Sequence, residues 1–263
     1  MKITVIGGGN MGGAVAAGAI KASKVAPEDV TISHLEPKCY PLFEGVQERI
    51  IIEDDNAKSI VGADLVVVAV KPWMMEQILG EIAPVLDRKK QVLVSIAAGI
   101  TFEDLTKLLD CQAKGDMTIY RVIPNTAIAI SESVNFICRH SSSPEQDEMM
   151  MDLFGAMGKS FMIDEGQMTP LTSLASCGIA FAYKYIDASI EGGVEMGLKE
   201  SLARDVVLQT VRGALMMLET NGTMPQPEID KVTTKGGITF KGLDAMAESG
   251  FTEAVKNGLF KSR

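Results

Sequence analysis

The opening of the chain limits its fold more than any other segment. A β-branched run, Lys2–Ile6, passes directly into Gly7-Gly8-Gly9-Asn10-Met11-Gly12 and then into small residues with helical character, Gly13 to Ala22. In a strand–turn–helix unit the first glycine of GxGxxG makes the tight turn, the second lets backbone approach a pyrophosphate, and the third lets the helix pack close to the strand. The spacing predicts a dinucleotide site in which Gly7, Gly9, Asn10, Met11 and Gly12 surround the phosphates and backbone N–H groups at the helix start face them. A glycine-rich turn that holds no ligand would carry the same letters, so the meaning of the motif depends on the rest of the chain.

Beyond residue 22, short apolar runs alternate with helical stretches, the pattern of a parallel sheet covered by helices on both faces. The strands predicted are Lys2–Ile6, Val30–His34, Arg49–Ile52, Leu65–Val70, Val92–Ile96, Thr118–Val122, Val134–Arg139 and Ser160–Ile163. Leu65 to Val70 is apolar throughout, as a central strand buried on both faces requires. From Gly166 the apolar positions follow helical spacing instead, through Met168–Met196, Ser201–Thr220, the region before Gly236, and Phe240–Lys261. The fold expected is α/β: a doubly wound, dinucleotide-binding sheet over residues 1–164, then an all-helical domain over 165–263.

In such a sheet, ligands bind beyond the carboxyl ends of the strands. After the second strand stands Ser33-His34-Leu35-Glu36-Pro37-Lys38. Glu36 suits a ribose 2′-hydroxyl, whereas Ser33, His34 and Lys38 suit a 2′-phosphate, and all of them would also serve as solvated loop residues. The segment leaves NADH and NADPH both open. Val70-Lys71-Pro72-Trp73 follows the central strand, with Lys71 as a donor to cofactor oxygens, Pro72 fixing the turn and Trp73 anchoring the next helix. Ala97, Ala98 and Gly99 are small enough for a nicotinamide ribose to lie on backbone. Asn125, after Pro124, is either a turn residue or a cofactor contact. Asn56 is placed to cap a helix beginning at Ala57.

Composition removes other classes. The 263 residues carry a net charge of −9, so the chain repels nucleic-acid backbones. No apolar run approaches the ~20 residues of a membrane helix, and Met1–Thr4 leads straight into strand-like sequence without a signal-type apolar region. A cytoplasmic protein with neither membrane nor nucleic-acid partner is expected. Cys39, Cys111, Cys138 and Cys177 are widely spaced and only His34 and His140 could join them, so no metal site is expected and the thiols read as packing residues. Sixteen methionines against one tryptophan suggest a core of flexible unbranched side chains, with Met149-Met150-Met151 as packing.

Taken in order, GGGNMG, AVKP, SIAAGI and RVIPNT resemble the pyrroline-5-carboxylate reductase family, and the likeness continues through Gly192–Leu198 (GGVEMGL) and Val232–Thr239 (VTTKGGIT) over nearly the whole chain. The resemblance implies a Rossmann domain, a helical dimerisation domain, an active site between them, and reduction of a cyclic imino acid, 1-pyrroline-5-carboxylate, to L-proline by NADPH or NADH. Dimers of that family often assemble into decamers. It further implies that Thr234 contacts the substrate carboxylate, that Gly236 and Gly237 supply backbone donors to it, that Thr239 directs its hydroxyl at the ring nitrogen as the catalytic residue, and that Asn56 matches an asparagine that reaches the cofactor; Lys235, at a position where proline is usual, adds a positive charge beside the carboxylate site. Independently, a Gly-Gly turn opening a helix at Ile238 is a ready anion site, with a simple helix cap at Thr239 as the plain alternative.

The chain departs from the family at Ala175-Ser176-Cys177-Gly178-Ile179-Ala180-Phe181, where SGSGPAY is usual. Gly178, assigned to the substrate site, and Ala180 agree; Ile179 replaces proline and Phe181 replaces tyrosine. In the glycine loop Lys235 stands for proline and Ile238 for a small residue. These changes keep two other readings in view: a related reductase of a different imine or carbonyl, and an inactive dinucleotide-binding sensor.

Overall fold

The computed structural model describes residues 1–263, the side chain of Pro37 excepted. Eight strands form one sheet: β1 Ile3–Ile6, β2 Val30–Ser33, β3 Ile51–Glu53, β4 Leu65–Val68, β5 Val92–Ser95, β6 Ile119–Ile123, β7 Ser133–His140 and β8 Gly158–Met162. Their order is β3-β2-β1-β4-β5-β6-β7-β8. Every pairing is parallel except β6 with β7, which join through a short 3-10 turn at Thr126–Ile130. Each strand expected from the sequence is present. Val70 leaves β4 because the chain turns there toward Pro72, the first residue of a 3-10 turn.

The central strands divide their side chains between two cores, as alternation demands. Val5, Leu65, Val67, Val92 and Val94 enter one, with α1 (Asn10–Lys21) and Phe154. Ile6, Val66, Val68 and Leu93 enter the other, with Met75, Ile78, Leu79 and Ile82. Helix α2 is the short Asn56–Ser59 and α3 is Met75–Ile82, whose four buried residues follow an i, i+3, i+4, i+7 stripe. Helices α4 Phe102–Leu108, α5 Cys111–Lys114 and α6 Pro144–Gly155 complete the layers. Capping boxes at Thr101/Asp104 and Ser143/Gln146 set the starts of α4 and α6. Met150 is fully buried in the first core with Met149 and Met151 packed against it, and none of the four cysteines is bridged.

One compact unit is Met1–Ser176 and a second is Cys177–Arg263. The first extends past residue 164 because α7 (Met168–Leu171) buries Met168 against Ile123, Phe136 and Cys138 of the sheet. The helix expected as continuous over Met168–Met196 is divided: a π-helical stretch, Thr172–Cys177, separates α7 from α8 (Gly178–Glu195), and the Thr172 hydroxyl turns back to the Met168 carbonyl at 2.7 Å. Helices α9 Glu200–Asn221, α10 Pro225–Val232, α11 Ile238–Glu248 and α12 Phe251–Lys261 come next. The single helix expected over Phe240–Lys261 is two, α11 and α12; Gly250, at φ +77°, takes the left-handed conformation that ends the first of them. In the second unit only Gly193 and Ala203 are buried. Among the described residues, no helix is long and apolar enough to cross a membrane.

Candidate cofactor and active site

Strand order reverses between β1 and β4, and a cleft of about 1210 Å³ opens at that point beyond the strand ends. Its floor is the glycine loop. Gly7 adopts φ +95°, and a Cβ there would lie 2.8 Å from the Ala69 carbonyl oxygen. A Cβ on Gly12 would lie 2.1 Å from the Gly7 carbonyl oxygen, so the third glycine is what lets α1 start against the loop. The loop is tied to β2 by the Gly7 and Gly8 N–H groups, both donating to the Ser33 carbonyl at 3.2 and 3.0 Å. Helix α1 begins after Gly9 with no side-chain cap and no acidic residue in its first turn. Its first N–H groups therefore lack partners within the helix and lie at the cleft, a site suited to a pyrophosphate.

Of the residues expected to hold the cofactor, Gly7, Gly9, Asn10, Met11, His34, Asn56, Val70, Lys71, Pro72 and Ala97 line this cleft. Gly12 and Ser33 are not on its wall and are both buried, the latter wholly. Gly99 is not on the wall, although Ala98 is. Asn125 is turned away: its side-chain oxygen caps the following 3-10 turn by accepting from the Ala127 N–H at 3.0 Å, and Thr126 takes its place on the wall. Trp73 is 79% exposed rather than buried against the next helix. Asn56 is not a helix cap. Asp55 caps α2, accepting from the Lys58 N–H, which frees the Asn56 side chain for another task.

That task is a relay that runs from buried Ser33 and Asn56 out to exposed Glu81 and Gln77. The Ser33 hydroxyl donates to Asn56 Oδ1 at 2.5 Å, Asn56 Nδ2 donates to Glu81 Oε2 at 2.7 Å, and Gln77 Nε2 donates to Glu81 Oε1 at 2.9 Å. The Asn56 and Gln77 amides hold the Glu81 carboxyl below its ordinary range. Glu36 stands beside Gly9, with its N–H on the Gly8 carbonyl at 3.0 Å and its carboxylate paired with Lys38 at 2.7 Å. Asp54, Asp55, Gln77 and Glu81 all line the cleft, and sequence reasoning misses them. The spacing Met74, Gln77, Ile78, Glu81 is the available signal, since it places four wall residues on one face of α3 and its N-cap.

In the second unit, α11 repeats the anion-site design. Gly236 sits at φ +80° and Gly237 precedes Ile238 as an extended N-cap with no side-chain cap. Gly237 does not supply an outward donor: its N–H closes the turn on the Thr234 carbonyl at 2.9 Å. The donors at this terminus are the N–H groups of Ile238, Thr239 and Phe240, because the first intrahelical bond starts at Lys241. Thr239 is the second residue of the helix rather than its cap, which leaves its hydroxyl for another role. Gly178 is the first residue of α8, directly after the π-helical stretch.

Residues 165–263 match the family model described as pyrroline-5-carboxylate reductase dimerisation, and residues 2–99 match one described as NADP oxidoreductase, coenzyme F420-dependent. Pyrroline-5-carboxylate reductase 3 of Danio rerio is 32% identical over 97% of this chain and 86% of its own length. This chain belongs to the pyrroline-5-carboxylate reductase family. A member from Methanosarcina acetivorans is 31% identical over 99% of the chain and 95% of its own. Among solved structures, the Plasmodium falciparum pyrroline carboxylate reductase, crystallised with NADP bound, superposes with TM-score 0.90 at 26% identity, covering 100% of this chain and 95% of that one. The Streptococcus pyogenes reductase gives 0.85 at 28% identity, with coverages of 100% and 96%.

Proposed function

We propose that this chain reduces 1-pyrroline-5-carboxylate to L-proline with NADH or NADPH. The observation that carries the reading is the match to one reductase family across both compact units, with a glycine-floored cleft in the first and a second acid-free helix start in the other. A bound reduced nicotinamide would supply a hydride to the imine carbon, and the C=N electron pair would settle on the ring nitrogen, which is either protonated or met by the Thr239 hydroxyl. Gly7, Gly9 and the α1 N-terminus hold the pyrophosphate; Val70, Lys71, Pro72 and Ala97 bound the nicotinamide half. The α11 terminus holds the substrate carboxylate, with Thr234 and Lys235 beside it, and Thr239 donates its hydroxyl hydrogen to the ring nitrogen. No histidine is needed as a general base, and catalysis rests on positioning, which supplies about 7–11 kcal/mol when reacting atoms are held in line. The working form is a homo-oligomer, supported by a helical unit with only two buried residues and by its dimerisation-model match. A dimer, extended to a decamer in the manner of the family, and a cytoplasmic setting complete the reading.

The test is the loss of nicotinamide absorbance when purified protein meets 1-pyrroline-5-carboxylate. Turnover is expected, and Thr239→Ala should reduce it while leaving the dissociation constant for the dinucleotide unchanged. Cofactor binding without oxidation would sink the substrate assignment and direct attention to the Ala175–Phe181 departure.

A further inference from the structure

We infer that the adenosine end of the cleft selects against a 2′-phosphate, so that this chain takes NADH in preference to NADPH; the inference rests on the dinucleotide reading above. With the pyrophosphate at the start of α1, the adenosine ribose extends over the end of β2, the strand next to β1. The residue reaching that place is Glu36. A Cβ built on Gly9 would lie 2.8 Å from Glu36 Oε1, so the carboxylate sits against the second glycine of the loop, and the Glu36 N–H bond to Gly8 pins its backbone there. A carboxylate in this position accepts from a ribose hydroxyl, whereas a 2′-phosphate would bring about −1.5 to −2 charges against it.

The groups able to welcome a phosphate are already turned to protein oxygens. Lys38 Nζ is on Glu36 Oε2 at 2.7 Å, Asn56 Nδ2 on Glu81 at 2.7 Å, the Ser33 hydroxyl on Asn56 at 2.5 Å, and His34 Nδ1 lies 3.6 Å from Asp54. Asp54, Asp55 and Glu81 add further negative charge on this wall. Binding NADPH would require breaking several of these pairs and placing phosphate among carboxylates. Binding NADH requires a single acceptor, which Glu36 provides.

The experiment measures dissociation constants of the full-length protein for NADH and NADPH by nucleotide fluorescence, and for 5′-AMP and adenosine 2′,5′-bisphosphate by calorimetry, without substrate. NADH is expected to bind about tenfold or more tightly than NADPH, a ratio of the size one uncompensated charge contact produces near a protein surface. Glu36→Gln keeps the shape and removes the charge; it should shrink the ratio severalfold, chiefly by tightening NADPH, and shift the two adenosine nucleotides in the same sense. Equal or tighter NADPH binding in the unaltered protein, or a ratio unmoved by Glu36→Gln, would overturn the inference while leaving the reductase reading intact. Failure of both dinucleotides to bind would overturn both.

Discussion

At the scale of single residues, the loop Gly7–Gly12 is legible in the sequence because each glycine answers a contact rather than a preference. The 2.1 Å between a Gly12 Cβ and the Gly7 carbonyl is the sharpest case. Gly12→Ala should push α1 off the loop and cost about 1–3 kcal/mol, the usual range for overpacking. Urea midpoints would check the stability loss, and a fluorescence titration should show weakened dinucleotide binding in the same variant. Cys138 offers a different test. Burial pushes its thiol up to about 11 from an ordinary value of 9.0, and Sγ–H donates to the Ile163 carbonyl at 3.2 Å. The folded state then holds a proton that the unfolded state releases first, so this contribution is whole below pH 9 and is lost as pH rises toward 11. Denaturation midpoints measured across that window should fall more steeply in the unaltered protein than in Cys138→Ala. The residues that sequence alone does not yield, Asp54, Asp55 and Glu81, carry no motif; they matter through the fold that gathers them at one strand edge.

At the scale of elements, β-branched residues announce every strand except β8, which reads Gly-Lys-Ser-Phe-Met, while the details of helices depend on packing. The π-helical stretch at Thr172–Cys177 accompanies a local hydroxyl-to-carbonyl bond and lies where the sequence departs from its family, and irregular turns of this kind collect at functional sites. The tie between β6 and the turn at Glu165–Gln167 is likewise invisible in the sequence. Arg121, 5% exposed, meets Glu165 Oε1 at 2.5 Å and lies 5.8 Å above the Phe102 ring, while the same carboxylate oxygen accepts the Phe102 N–H at 2.7 Å. Glu165→Ala strands a buried guanidinium and should cost about 3 kcal/mol. The double variant Arg121→Met/Glu165→Ala should recover much of that loss in urea denaturation; equal destabilisation in both would show that the pair is not the source.

At the scale of the whole molecule, the two halves rest on different kinds of stability. The sheet unit owns two cores, but in the helical unit Phe181, Tyr183, Tyr185, Leu202, Val206, Leu215, Met216 and Met217 are exposed in the single chain. Apolar surface on that scale is not left to water in a lone subunit. Light scattering at micromolar concentration should give a mass of at least twice 28.2 kDa, and a monomer would refute the assignment. The melting temperature should also climb with protein concentration, as mass action demands of a fold completed by association. Composition hints at this through Met-rich helices, but which residues stay uncovered becomes readable only once the helices are placed.

That a unit buries only Gly193 and Ala203 also bears on the path by which the protein is made. The sheet half, which holds both large cores within one chain, should reach its native state in a first-order process. The helices after Cys177 have almost no interior of their own to collapse around, so their final packing is an encounter between chains. Refolding should therefore split into a phase whose rate ignores dilution and a later one that slows in proportion to it, and a cell that produces this chain sparsely would accumulate subunits whose first half is finished and whose second half is waiting.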